Sequence, residues 1–312
     1  MNSNIVTRAF LGLAIGDALG LPVEFIERKY LKENPVKDFT EFGTHNQPKG
    51  TWSDDSSLTF CLAQTLTNGY HLKEIAASFV CWYNENYWTA RGHVFDIGAS
   101  TSKAIQNIIK GIPLSKVGGA SERDNGNGSL MRILPLCFYL KDFEIEKRFA
   151  VIKEVSSITH AHSRSILCCF IYIEICIQIL KGESKRNAYY EAVAIVNDYC
   201  ANHNQLKKEC FHLKRVLGYL LEEVPEHEIY SSGYVVHSLE AAIWCWLKED
   251  SYEKAVLKAV NLGDDSDTIA SITGGLAGLS SKTNEIPKKW IKDLAKVDEI
   301  IILSNEIFQK YF

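Results

Sequence analysis

The sequence predicts an all-α protein, a single domain over residues 1–312 built as an orthogonal bundle of roughly a dozen helices. Three observations predict it. Apolar residues recur at intervals of three and four in nearly every segment between breakers. No stretch alternates apolar and polar residues convincingly enough for a strand. The breakers leave mostly short connections, and neither an internal repeat nor a low-complexity segment divides the chain.

Composition narrows the class further. A chain of 312 residues that is 46% hydrophobic can bury a large core. Its net charge is −4, with acidic and basic residues interspersed, and no basic stripe points to nucleic acid. The nine cysteines are odd in number, form no CxxC pair and sit mostly in apolar helical runs. They read as reduced core thiols. Met1-Asn2-Ser3-Asn4 lacks the charged start and cleavage site of a signal peptide, so a cytoplasmic location is expected. The most apolar run, 166–180, contains Glu174 and Gln178 and is short for a membrane span. A buried helix, no membrane association and a monomer are expected.

In chain order, Ile5–Leu19 has Val6, Phe10 and Leu13 on one helical face, and the stretch from Gly16 to Pro22 stops the helix. Glu24 follows in a loop. Residues 26–52 read as irregular, and a connection of that length tends to be functional. It leads to Trp52-Ser53-Asp54-Asp55-Ser56, then to Leu58, Leu62 and Leu66 at helical spacing, closed by Asn68-Gly69. Further helices are predicted over 73–88 and 100–110. A Gly-rich polar loop, 118–129, comes before the apolar run 130–136. Gly-rich loops that open a helix can offer N–H groups to phosphate, but this one is neither GxxxxGK[ST] nor preceded by a strand. A helix over 146–159 leads to Thr159-His160-Ala161-His162-Ser163, where Ser163 is expected to cap the buried helix. Helices over 186–200 and 206–221 look peripheral. Gly233-Tyr234 opens an apolar helix through Trp246, and Ser251 caps a short one, 252–260. Next comes Asn261-Leu262-Gly263-Asp264-Asp265-Ser266-Asp267-Thr268, at the mouth of a helix whose Gly274, Gly275 and Gly278 permit close packing. Two more helices complete the chain.

Both acidic stretches open predicted helices, where the helix dipole favours negative charge. The plain reading is two unrelated capping clusters. The sharper one is a shared site. Asp54, Asp55, Asp264, Asp265 and Asp267 gathered without cations would titrate as a coupled group with raised pKa values. Mg²⁺ takes oxygen ligands of this type, and hydroxyls such as Ser53 and Thr268 complete its shell.

Taken together and in order, several segments resemble the ADP-ribosylglycohydrolase family, which includes the dinitrogenase-reductase-activating glycohydrolases. They are Gly12 to Gly20 with Glu24, Trp52 to Ser56, Gly126-Asn127-Gly128-Ser129-Leu130-Met131-Arg132, Thr159 to His162, Gly233-Tyr234-Val235, and Gly263 to Thr268. The resemblance implies an all-α fold around a binuclear Mg²⁺ cleft, with Mn²⁺ as a substitute. It implies hydrolysis of the bond between ribose C1 of ADP-ribose and a modified group. On the family pattern the metal ligands are Ser53, Asp54, Asp55, Asp265, Asp267 and Thr268, with Asp264 an extra residue. The first acidic motif is usually Thr-Asp-Asp-Thr, so Ser53 and Ser56 take threonine places and keep the hydroxyl. Glu24 matches a glutamate implicated in catalysis or gating, and Asp124 an acidic residue thought to act on the ribose. Gly126, Asn127, Gly128 and Ser129 match the loop that cradles the diphosphate. His160 lies in a substrate-binding motif that here ends in Ser163 where proline is usual. Tyr234 matches a contact to the adenosine part. The implied partner is an ADP-ribosylated protein or an ADP-ribose-containing small molecule. Mono-ADP-ribosyl-arginine on protein is the first expectation; ADP-ribosyl-serine and O-acetyl-ADP-ribose come second. A non-catalytic ADP-ribose-binding member is a third reading, and a generic Mg²⁺ phosphoesterase a weaker fourth.

Overall fold

The first apolar run folds as α1, Ile5–Gly20, started by Asn4, whose side chain accepts the Thr7 amide at 2.8 Å. The structure, a computed structural model, describes residues 4–282 and 285–312. The next elements are α2 (Arg28–Glu33), α3 (Asp54–Leu66), α4 (Leu72–Glu85), α5 (Ala99–Ile109), α6 (Leu136–Leu140), α7 (Ile145–Ser157) and α8 (Ser163–Leu180). They are followed by α9 (Lys185–Ala201), α10 (Asn204–Glu209), α11 (Val235–Lys248), α12 (Tyr252–Val260), α13 (Ser266–Ser280), α14 (Lys288–Asp293) and α15 (Val297–Tyr311). Among the described residues there is no β-strand, only two isolated bridges, Gly119 with His160 and Gly126 with Tyr234. The all-α prediction holds, with the added helices mostly short ones.

The organising contact is α1 against α13. Gly12, Gly16 and Gly20 lie on one side, with Ala270, Gly274 and Gly278 facing them. A Cβ on Gly16 would lie 2.0 Å from the Ala270 carbonyl oxygen, and one on Gly274 would lie 2.1 Å from that of Gly12. The backbones touch because no side chain intervenes. These glycines therefore pack helices, and Gly16 does not end α1, which runs on to Gly20 before a 3₁₀ turn, Leu21–Val23. The same contact sets the acidic N-terminus of α13 beside the C-terminus of α1, with Gly20 against the Asp267 backbone.

The segment Ile5–Val23 and helix α8 are long and apolar enough to cross a bilayer, yet 83% and 89% of those windows are buried within the fold. They are core helices. Inside α8, Glu174 is paired with Arg148 at 2.6 Å, which supplies the partner that a buried carboxylate requires.

Four local expectations are corrected. The 26–52 connection contains α2. His162, not Ser163, caps α8, because its imidazole accepts the Arg164 amide at 3.2 Å. The apolar pattern over 206–221 yields only the end of α10 and short 3₁₀ turns, broken at Tyr219 with φ +64°. The Gly-rich loop does not open directly into a helix: residues 130–132 form a turn, and α6 begins only at Leu136, after Pro135.

Candidate active site

Asp17, in the last turn of α1, is fully buried and holds the first acidic motif in place. One carboxylate oxygen accepts the Ser53 amide at 2.9 Å; the other accepts the Ser56 amide at 3.1 Å and its hydroxyl at 2.6 Å. Ser53 caps α3 by accepting the Asp55 amide at 3.2 Å, so Asp54 and Asp55 lie in the first turn. Asp265 and Asp267 sit at the start of α13. Thr268 joins the two motifs by donating its hydroxyl to Asp55 at 3.3 Å. The N-termini of α3 and α13 thus meet in one place, where both helix dipoles support negative charge.

Glu24 completes this group. One of its oxygens lies within 4.8 Å of oxygens of Asp265 and Asp267. It also bonds His45, which is 3.9 Å from Asp96. Asp264 turns away: its carboxylate accepts the Ser231 hydroxyl at 3.1 Å, and its backbone pairs with Phe25 and Ile26. A cleft of about 250 Å³ is lined by Glu24, Asp54, Asp55, Asp96, Asp265 and Thr268 on its acidic side. Gly126, Asn127, Gly128, His160 and Gly233 face it from the other.

Two bridges stitch that second wall together. Gly119 donates to Thr159 at 3.0 Å, and Asn127 donates to Gly233 at 3.1 Å. The Asn127 amide is therefore already used, while those of Gly126, Gly128 and Ser129 have no partner among the described residues. The Asn127 side chain donates to Asp265 at 2.5 Å. Ser129 points its hydroxyl into the core, 3.0 Å from Ser156. His160 packs under Gly126 and Gly128; burial and the nearby Arg132 push it down to about 3, so it is neutral. Tyr234 and Asp124 stand outside the cleft lining. The Tyr234 hydroxyl accepts from Arg164 at 3.1 Å. Asp124 caps its own 3₁₀ turn through the Ser121 amide at 2.9 Å and is held below the ordinary carboxylate range.

The cleft carboxylates repel one another in a dry setting. Burial, before any neighbour, pushes Asp17 and Asp265 up to about 6 and Glu24 up to about 7. Asp54, Asp55 and Asp267 rise well above the usual range from burial and then from surrounding carboxylates. A carboxyl raised in the fold binds more protons folded than unfolded, so its contribution to stability falls as pH climbs from ~4 through the folded values. Without divalent cations the melting temperature is therefore expected to be higher near about pH 5 than near about pH 8. A calorimetric scan showing the reverse would contradict the raised values.

Within the two acidic motifs, two buried carboxylate oxygens, Asp55 Oδ2 and Asp267 Oδ1, have no hydrogen-bond partner among the described residues. Buried carboxylate oxygens with nothing to accept are what a hard divalent cation satisfies, so the donor set fits such an ion.

The ADP-ribosylglycohydrolase family model matches residues 3–312. The chain belongs to this family. It is 31% identical over 304 residues to the ADP-ribosylarginine hydrolase Tri1 of Serratia proteamaculans, covering 96% of this chain and 78% of that one. It is 24% identical over 298 residues to the ADP-ribosyl-dinitrogen reductase glycohydrolase of Rhodospirillum rubrum, covering 92% and 88%. A solved structure described as an ADP-ribosylglycohydrolase-related protein complex superposes with a TM-score of 0.80 at 27% identity, covering 99% and 98%. Within this glycohydrolase fold, sequence reasoning gave no role to Asp17, Asp96 or His45. A lone acid inside an apolar helix was a signal for Asp17. The loop residues carried none.

Proposed function

We propose that the chain is a Mg²⁺-dependent hydrolase that removes ADP-ribose from mono-ADP-ribosylated arginine on protein. The observation that carries the reading is a pair of oxygens, of Asp55 and Asp267, that have no hydrogen-bond partner among the described residues and lie with the carboxylates at the starts of α3 and α13. The Serratia relative, an ADP-ribosylarginine hydrolase, supports arginine as the linkage.

Ser53, Asp54, Asp55, Asp265, Asp267 and Thr268 would hold two Mg²⁺ ions, with Mn²⁺ as a substitute. Bound there, Mg²⁺ supplies positive charge that binds sugar hydroxyls and acidifies a water. Asn127 and Thr268 orient Asp265 and Asp55 through their hydrogen bonds. These carboxylates would stabilise the positive character that the anomeric carbon gains as its bond breaks. Glu24, raised to about 7 and bonded to His45, is poised to exchange a proton at neutral pH. The free amides of Gly126, Gly128 and Ser129 are the donors left for a diphosphate. Asp124, held by Ser121, is the weaker acid–base candidate.

The test is release of free ADP-ribose from an ADP-ribosyl-arginine protein, with Mg²⁺ and with EDTA. Release only with Mg²⁺ is expected. Release from ADP-ribosyl-serine protein or O-acetyl-ADP-ribose, but not from the arginine adduct, would overturn the linkage. No release from any of the three would overturn hydrolysis and leave an ADP-ribose-binding protein.

A further inference from the structure

We infer that the mouth of the cleft carries a cation-binding rim, formed by the rings of Phe25 and Phe95 with the carboxylates of Glu24 and Asp96, which receives the guanidinium of the leaving group. The inference rests on the reading above and names the residues that select arginine.

Phe25 is the starting point. It follows Glu24, which is 4% exposed, yet is itself 66% exposed. A solitary exposed phenylalanine needs no explanation. This one has φ +64°, a left-handed conformation that a bulky side chain adopts only when its surroundings enforce it. The enforcement is visible. The Phe25 amide donates to the Asp264 carbonyl at 2.6 Å, and the Asp264 amide donates to the Ile26 carbonyl at 3.0 Å. Asp264 is also left-handed, at φ +55°. The loop carrying Phe25 is thus tied to the second acidic motif, which accounts for the acidic residue that faces away from the other carboxylates.

The ring is held outward in a defined place. His45 lies 6.2 Å from the Phe25 ring and 5.8 Å from the Phe95 ring, centroid to centroid. It bonds Glu24 and approaches Asp96, both of which line the cleft. Asp96, next to Phe95, is a third left-handed residue, at φ +49°. Among the described residues, no lysine or arginine forms an ion pair with Glu24 or Asp96; His45 is their one basic partner. Two phenyl rings therefore flank His45, the residue that bonds one of these cleft-lining carboxylates and approaches the other. A guanidinium is the group that uses both rings and carboxylates, stacking on aromatic faces and donating to carboxylates through a planar fork. A neutral hydroxyl or ester leaving group gains little from such a rim.

The experiment compares kcat/KM for an ADP-ribosyl-arginine protein and for O-acetyl-ADP-ribose in wild type, Phe25→Leu, Phe25→Tyr and Phe95→Leu. Each leucine variant is expected to shift the ratio of the two against arginine by about tenfold, and Phe25→Tyr to keep it. An unchanged ratio in both leucine variants would overturn the rim while leaving hydrolysis intact. A second arm needs no turnover: calorimetric titration of agmatine into wild-type protein holding ADP-ribose and Mg²⁺. Saturable binding that Phe25→Leu weakens supports the rim even if no substrate is cleaved, in which case only the hydrolytic reading falls. Absence of agmatine binding overturns the rim whatever the turnover.

Discussion

Asp267→Asn is expected to lower kcat/KM by about a thousandfold, equivalent to ~4 kcal/mol of transition-state stabilisation, while making the metal-free protein more heat-stable. The two effects have opposite sign because one charge does two things. Asp267 is 1% exposed, its Oδ1 has no hydrogen-bond partner among the described residues, and Glu24, Asp55, Asp265 and Asp96 all add to the effect of burial on it. In the absence of a cation, removing that charge relieves both desolvation and repulsion. With Mg²⁺ present, the same change replaces an anionic oxygen donor by a neutral one, and the stabilisation that a ligand confers on the fold shrinks with its affinity. Wild type should therefore gain melting temperature on adding Mg²⁺, and the variant should gain little. Asp264→Asn is the matched control. That side chain points at Ser231, and asparagine tolerates its φ of +55°. If Asp267→Asn keeps both turnover and the Mg²⁺-dependent rise, Asp267 is not a ligand.

The positions of these carboxylates were legible in the sequence to the extent that local chemistry recorded them. Acidic residues bunched at two helix starts gave α3 and α13, and the buried helix α8 was plain from the apolar run 166–180. Asp17 was visible as the lone acid in α1, but its task was not, because its partners Ser53 and Ser56 lie 36 and 39 residues away. His45 and Asp96 sit in loops without periodicity, and only the tertiary fold brings them together. Asp124 and Tyr234 illustrate the converse. Sequence order places them beside the Gly-Asn-Gly loop and the α11 start, yet one is engaged by Ser121 and the other by Arg164. A motif fixes which residues are near in the chain; the direction of each side chain depends on what else it can bond. The 206–221 segment failed for a related reason, since its apolar residues pack as short turns and Gly218-Tyr219 breaks the helical path.

Gly16→Ala is expected to destabilise the fold by ~3 kcal/mol or more, and to lower the melting temperature by roughly 10 °C, although it is the mildest substitution available. Helix propensity alone would predict a gain, because alanine is the better helix former. Packing decides against it. The added methyl would lie 2.0 Å from the Ala270 carbonyl oxygen and 2.6 Å from its carbon, and backbone cannot step aside by changing rotamer. Gly275→Ala on α13 is the informative contrast. Its methyl would meet the Tyr172 hydroxyl at 2.6 Å and Leu134 at 3.2 Å, both side-chain atoms that can move, so a smaller loss is expected. The two variants can be compared by thermal denaturation without Mg²⁺. The Gly16 variant should also lose activity beyond what its instability explains. Asp17 is the next residue on α1, and separating α1 from α13 pulls it, with Ser53 and Ser56, away from Asp265 and Asp267. Equal, small losses of stability in both variants would mean that the helix pair can open without cost and that the glycine faces do not position the acidic site.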